Sequence, residues 1–188
     1  MQQKLFIKNR KGQNVAVLVE QPDQPDPPKG LAFIMHGLSG FKEQPHIALY
    51  AQTFLENGYT AVRFDTTNTY GESDGKYEDA TLTNYFEDLE DVISWAKQQP
   101  WYSEPFCLVG SSLGGICTAL YAQKHPERIK AIAPTSTVVS GKLSIESKEG
   151  RGIDMEEWKR IGYAEQESIS KPGLMKRLKW ANIEDRLK

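Results

Sequence analysis

Hydrophobic positions along this chain recur in two periods, and the period changes several times before the last quarter. Leu5 to Asn9 and Val15 to Glu20 alternate like two strands joined around Lys11-Gly12, a hairpin pattern. The segment "QPDQPDPPKG" (Gln21 to Gly30) reads as a surface loop. Next comes "LAFIM" (Leu31 to Met35), an apolar run of the kind buried on both faces of a parallel sheet. A helix is expected from Pro45 to Asn57, stopped by Gly58, and "TAVRF" (Thr60 to Phe64) is the next strand. Phe86, Leu89, Ile93 and Ala96 mark one face of a helix over Thr83 to Gln99. "FCLVG" (Phe106 to Gly110) is a strand. Leu113, Ile116, Cys117, Leu120 and Tyr121 then form a helical stripe ended by His125-Pro126. "IKAIAP" (Ile129 to Pro134) is one more strand. This alternation predicts an α/β fold, a mostly parallel sheet with helices on both faces.

After about Ser140 the pattern changes. No strand-like run is legible from Ile145 to Lys188. Met155, Trp158 and Ile161 fit one short helix, and Leu174, Met175, Leu178 and Ala181 fit another. Residues 1–140 are therefore expected to form the core, and 141–188 a helical, cap-like segment.

Charge narrows the functional classes. With 23 basic and 25 acidic residues the formal net charge is −2, which gives no reason to expect nucleic acid or an anionic membrane as partner. No apolar stretch is long enough for a signal peptide core or a membrane span. The two cysteines, Cys107 and Cys117, flank a serine motif and are expected to be inert core thiols. A reduced, cytoplasmic chain is the simplest expectation.

That motif is "GSSLG" (Gly110 to Gly114), a G-x-S-x-G centred on Ser112 between a buried strand and an amphipathic helix. Small neighbours allow a strained turn that presents the serine hydroxyl, and the helix N-terminus aims N–H groups at developing negative charge. A Walker A loop is excluded because no Gly-Lys-Ser/Thr follows, and the dinucleotide G-x-G-x-x-G spacing is missing. A serine that merely packs helix on strand is the bland alternative. "MHGLSGFKEQPH" (Met35 to His46) adds a His-Gly pair directly after the first parallel strand, where a second oxyanion donor arises. The donors are then expected to be the backbone amides of Leu38 and Leu113.

With His36-Gly37, "VRFD" (Val62 to Asp65), "GESDG" (Gly71 to Gly75) and "GSSLGG" in place, the chain resembles the α/β-hydrolase superfamily from Leu31 to about Pro134. The similarity points to the branch of cinnamoyl/feruloyl esterases and serine aminopeptidase-like and monoacylglycerol-lipase-like enzymes. It implies hydrolysis of carboxylic esters through an acyl-enzyme on Ser112, a small-molecule acyl substrate and no cofactor. Two departures follow. "TTNTY" lengthens the loop after "RFD". The family's acid and histidine come later than the serine, on strand–helix units needing about 60 further residues, which the chain is expected to lack. Of the histidines, His36 is expected to shape the oxyanion loop, His46 to open a helix, with a role at the pocket edge as its alternative, and His125 to close one. Asp154 and Asp185 are expected to be solvated helix charges. Glu87, Asp88, Glu90 and Asp91 are expected on a solvated helix face. Trp158, Tyr163, Leu174 and Met175 are candidates for an apolar acyl site. The alternative is a non-catalytic, ligand- or partner-binding protein. "IKAIAP" would present an open sheet edge, so the chain is expected to dimerise, bind a missing segment or be poorly soluble.

Overall fold

The structure is a computed structural model that describes residues 1–24, 27–167 and 173–188. Positions 25–26 of the proline-rich loop and 168–172 of the cap-like segment lie outside the described residues. The main sheet has six strands: β1 (Gln2–Lys8), β2 (Asn14–Glu20), β3 (Gly30–Met35), β4 (Tyr59–Phe64), β5 (Phe106–Ser111) and β6 (Ile129–Thr135). Their order is β1-β2-β4-β3-β5-β6. Pairing is antiparallel from β1 to β2 and from β2 to β4, and parallel across β4, β3, β5 and β6.

Three helices connect the parallel strands, and the period-two alternation of each strand decides which helix it meets. Leu31, Phe33 and Met35 of β3 point into the larger core with Val62, Phe64, Phe106 and Leu108. Helices α2 (Leu82–Ala96) and α3 (Leu113–Lys124) cover that face, with Leu89, Ile93, Leu113 and Cys117. Ile34, Ala61 and Val109 point the other way, against Ile47 and Ala51 of α1 (Pro45–Glu56). Burial on both faces explains why these strands read as unbroken apolar runs. The α3 stripe is narrower than its spacing predicts: Leu113, Cys117 and Tyr121 are buried, Ile116 is half-buried and Leu120 is exposed.

The segment after β6 differs from the expected pair of helices. Helices α4 (Gly141–Glu149) and α5 (Met155–Ile161) form, but Tyr163–Glu167 (β7) and Met175–Lys179 (β8) make an antiparallel pair, followed by the short α6 (Ala181–Asp185). Leu174, Met175, Leu178 and Ala181 thus do not share a helix. Pairing with β7 and a hydrogen bond from Trp158 Nε1 to the Leu178 carbonyl, 3.1 Å, override the local spacing. Asp185 is not a solvated charge either. It is buried and accepts from the Thr83 N–H at 2.6 Å and from Thr83 Oγ1 at 2.8 Å. With Thr81 accepting from Asn84 N–H, it satisfies the open first turn of α2. Asn182 Nδ2 adds a bond to the Ala80 carbonyl at 2.8 Å.

Among the described residues β6 ends the sheet, with Ala131, Ile132, Ala133 and Pro134 exposed. An open, apolar strand edge is a pairing template, so light scattering at micromolar concentration is expected to show self-association. Ile132→Lys should reduce it, and a monodisperse monomer for the unaltered chain would contradict the expectation. Removing the α2 cap with Asp185→Ala is expected to lower stability by about 1–2 kcal/mol, read from the urea midpoint. An unchanged midpoint would mean the contact contributes nothing.

Candidate active site

Ser112 sits at the junction of β5 and α3 with φ 52° and ψ −113°, a backbone region that L-residues other than glycine seldom adopt. Such a conformation costs of order 1–3 kcal/mol and persists only where neighbours hold it. Three of them do. The Ser112 N–H donates to the Thr135 carbonyl at the end of β6, 2.8 Å away. Gly114 lies so close to β3 that a Cβ there would be 2.4 Å from the His36 carbonyl oxygen. Gly37 has the same constraint, since a Cβ on it would be 3.0 Å from Ser112 Cβ. These glycines admit the backbone approach that seats α3 and the loop after β3 against each other. The Ser112 hydroxyl does not cap its own helix.

The loop after β3 is shaped by His36, which is fully buried. Its Nε2 accepts from the Thr66 N–H at 3.1 Å, so the ring proton belongs on Nδ1, which donates to the Gly37 carbonyl at 2.8 Å. The Gly40 N–H also donates to the Gly37 oxygen, at 2.9 Å. Because the peptide is planar and trans, fixing that oxygen turns the Leu38 N–H to the opposite side. Among the described residues neither the Leu38 N–H nor the Leu113 N–H donates to a protein acceptor. Leu113 opens α3, where an N–H has no partner within the helix. Two free amides thus flank the turn bearing Ser112, a geometry suited to an oxyanion.

The remaining sequence candidates scatter. Both nitrogens of His36 are engaged, Nδ1 by the Gly37 carbonyl of its own loop and Nε2 by the Thr66 N–H of the loop after β4. His46 is exposed on the first turn of α1 and packs edge-on to Tyr50. His125 closes α3 at its far end, beside Tyr121 and 4.0 Å from Glu127. Asp154 is exposed and caps α5 through the Glu157 N–H. Asp88 corrects the solvated-face expectation. It is fully buried and accepts from Asn9 Nδ2, Thr67 N–H, Thr67 Oγ1 and Asn84 Nδ2. Burial pushes its carboxyl above the usual carboxylate range. Asp65, equally buried, gathers the Lys42 N–H and ammonium and the Glu72 N–H. These two carboxylates bind the "RFD…GESDG" loop to the sheet end. Burial likewise pushes the Cys117 thiol up, away from reactivity. Among the described residues no group of three or more His, Cys, Asp or Glu could hold a metal, and no helix is long and apolar enough to cross a membrane.

A cavity of about 420 Å³ opens beside this loop. Leu38, Tyr77, Trp158, Leu178, Lys148 and Lys176 are among its lining residues. Ser112 is not in that lining, although its neighbour across the Gly37 contact, Leu38, is. Of the four apolar-site candidates only Trp158 lines it, while Leu174 and Met175 are exposed. Alternation along β8 turns Lys176 and Leu178 inward, a period-two signal hidden by Arg177 between them and by the charge of Lys176 itself.

Over residues 9–178 the chain matches the family described as X-Pro dipeptidyl-peptidase (S15 family). It is 29% identical over 126 residues to the mitochondrial palmitoyl-protein thioesterase ABHD10 of Bos taurus, a match spanning 63% of this chain and 39% of that protein. The solved structure of Est1E from Butyrivibrio proteoclasticus with ferulic acid bound superposes with TM-score 0.75 at 24% identity, covering 96% of this chain and 69% of that one. Alpha/beta hydrolase domain-containing protein 10 from mouse gives TM-score 0.70 at 21% identity, covering 98% and 69%. The fold is that of the α/β-hydrolases.

The protonation state of His36 can be tested by stability. Burial lowers its pKa; the Gly37 carbonyl and Asp65 oppose the shift, and Lys42 and His46 add to it. The folded pKa therefore lies below the unfolded value of about 6.5, and the unfolded chain binds the extra proton. The contribution is complete above about pH 6.5 and is lost as pH falls below that. Urea midpoints should drop between pH 7.5 and 5.5, and His36→Gln should flatten the drop. Equal pH slopes for both proteins would exclude a buried neutral His36.

Proposed function

Because the chain belongs to the X-Pro dipeptidyl-peptidase (S15) family, we propose that it is the serine-bearing part of a hydrolase of carboxylic esters, with Ser112 as nucleophile. The observation that carries this reading is the strained φ of Ser112 at a strand-to-helix turn, flanked by two amides without acceptors among the described residues. Est1E, with bound ferulic acid, and the thioesterase named ABHD10 both fit acyl transfer as the reaction class.

In the proposed reaction Ser112 Oγ attacks the carbonyl carbon and loses its proton to a base. The Leu38 and Leu113 N–H groups receive the oxyanion. The bond to the leaving alcohol then breaks, the alcohol takes up the proton, and water cleaves the acyl-enzyme by the same route. The general base and its acid partner are taken to come from outside these 188 residues, because both His36 nitrogens are occupied, His46 packs on Tyr50 and His125 closes the far end of α3. Reduced, cytoplasmic residence belongs to the same proposal, supported by two free and buried cysteines.

The test is covalent labelling. A fluorophosphonate probe should modify Ser112, located by peptide mass spectrometry, and Ser112→Ala should remove the adduct. Without its base the chain should cleave a nitrophenyl acetate only feebly, since oxyanion hole and binding alone retain roughly 10³–10⁴-fold over water. Adding a C-terminal segment with acid and histidine should raise the rate by orders of magnitude. Full turnover by the chain alone, or unchanged turnover in Ser112→Ala, would overturn the assignment.

A further inference from the structure

The cavity beside Leu38 has two unlike kinds of wall. Tyr77, Trp158 and Leu178 are apolar, and Lys148 and Lys176 bring two ammonium groups into the same space. On β8 the flanking cations are paired: Arg177 lies 3.7 Å from Glu78, and Lys179 reaches both Glu78 and Asp79. The cavity lysines have no such partner among the described residues. Among the described residues Lys176 Nζ meets the Ser39 hydroxyl, at 3.3 Å, and the Tyr70 ring, at 5.7 Å. Lys148 Nζ lies 5.6 Å from the centre of the Trp158 ring. Both distances are near the outer limit of cation–π attraction, so the rings offset little of the cost of burying charge.

The surroundings add more positive charge. Arg186 lies next to this region, and its Nε is buried with no hydrogen-bond partner among the described residues. Burial and the like charges of Arg186 and Arg151 lower the Lys148 pKa. An anion entering here would relieve that repulsion. Glu165 and Glu167 also line the cavity, but both are exposed, and Glu167 Oε1 already accepts the Gly173 N–H at 2.7 Å. The stretch 168–172 contains no acidic residue. An apolar wall beginning at the oxyanion loop, with unpaired ammonium groups in the same enclosure, matches a chain that is greasy along its length and negative at its end.

We infer that this cavity receives the acyl part of an ester that ends in a carboxylate, a half-ester of a dicarboxylic acid, with Lys148 and Lys176 contacting that carboxylate. The inference rests on the ester-hydrolase reading for the identity of the scissile bond, but the charge preference is a property of the cavity. Calorimetric titration with monomethyl suberate and dimethyl suberate separates the two. At low ionic strength the monoanion should bind about tenfold more tightly than the neutral diester, and the preference should shrink as salt rises. In Lys148→Gln/Lys176→Gln the preference should fall to near unity while dimethyl suberate still binds, showing the cavity intact. Equal affinities for the unaltered chain, no binding of the monoester, or a preference surviving in the double variant would overturn the inference. Ser112→Ala should leave the preference in place. Preference without fluorophosphonate labelling would remove the serine chemistry alone; labelling without preference would remove the anion site alone.

Discussion

The peptide after β5 cannot relax without disturbing three strands at once. Its Ser112 N–H is held by the Thr135 carbonyl of β6, and the next turn of α3 is pressed against the β3 end at Gly114. Loop 36–40 closes against Ser112 through Gly37. The loop is fixed in turn by His36, whose ring spans from the Gly37 carbonyl to the Thr66 N–H after β4. The strain at one residue is thus distributed over backbone contacts, which shift less readily than side chains. The rest of the site inherits its geometry from this closure, including the direction of the Leu38 amide and the mouth of the neighbouring cavity.

Buried charge supports the same end of the sheet from below. Asp65 accepts the Glu72 N–H and Asp88 the Thr67 N–H and hydroxyl from the loop after β4, while Asp65 also takes the Lys42 N–H from the loop after β3. Lys42 is buried against Asp65, and Arg63 reaches both Glu20 and the Lys42 carbonyl. Removing one partner from such a network leaves an uncompensated charge, which is far more damaging than losing an exposed pair.

The sheet, its three helices and the Ser112 turn were legible in the sequence because each rests on a local period or on small residues at fixed offsets. "LAFIM" and "FCLVG" are apolar without interruption because helices cover both faces, and the turn after "FCLVG" needs its glycines. What was not legible depends on distant partners. Asp88 lies within a run of acidic residues, and only Asn9 and Thr67 reveal it as buried. Strand β8 is read as a helix because Leu174, Met175, Leu178 and Ala181 happen to fit helical spacing. Its register is set across the pair, and Asp185 gains its role only from Thr83. The cavity lysines escape notice for the same reason, since Lys148 on α4 and Lys176 on β8 read as solvent-facing until their neighbours are placed.

Docking of the last segment also has a kinetic meaning. The bond from Thr83 to Asp185 spans 102 positions, as does that from Asn182 to Ala80. Closing a loop of that length costs roughly 4 kcal/mol in its logarithmic part alone, before any contact is made. The sheet and its helices are assembled from nearer neighbours, so β8 and α6 should dock late in folding and release early in native-state fluctuations. Leu178 and Lys176 leave with them, and they carry one wall of the cavity. Access to that space would then be governed by the opening equilibrium of the chain's own tail, with hydrogen-exchange protection graded from a firm floor at β3 to a loosely held roof at β8.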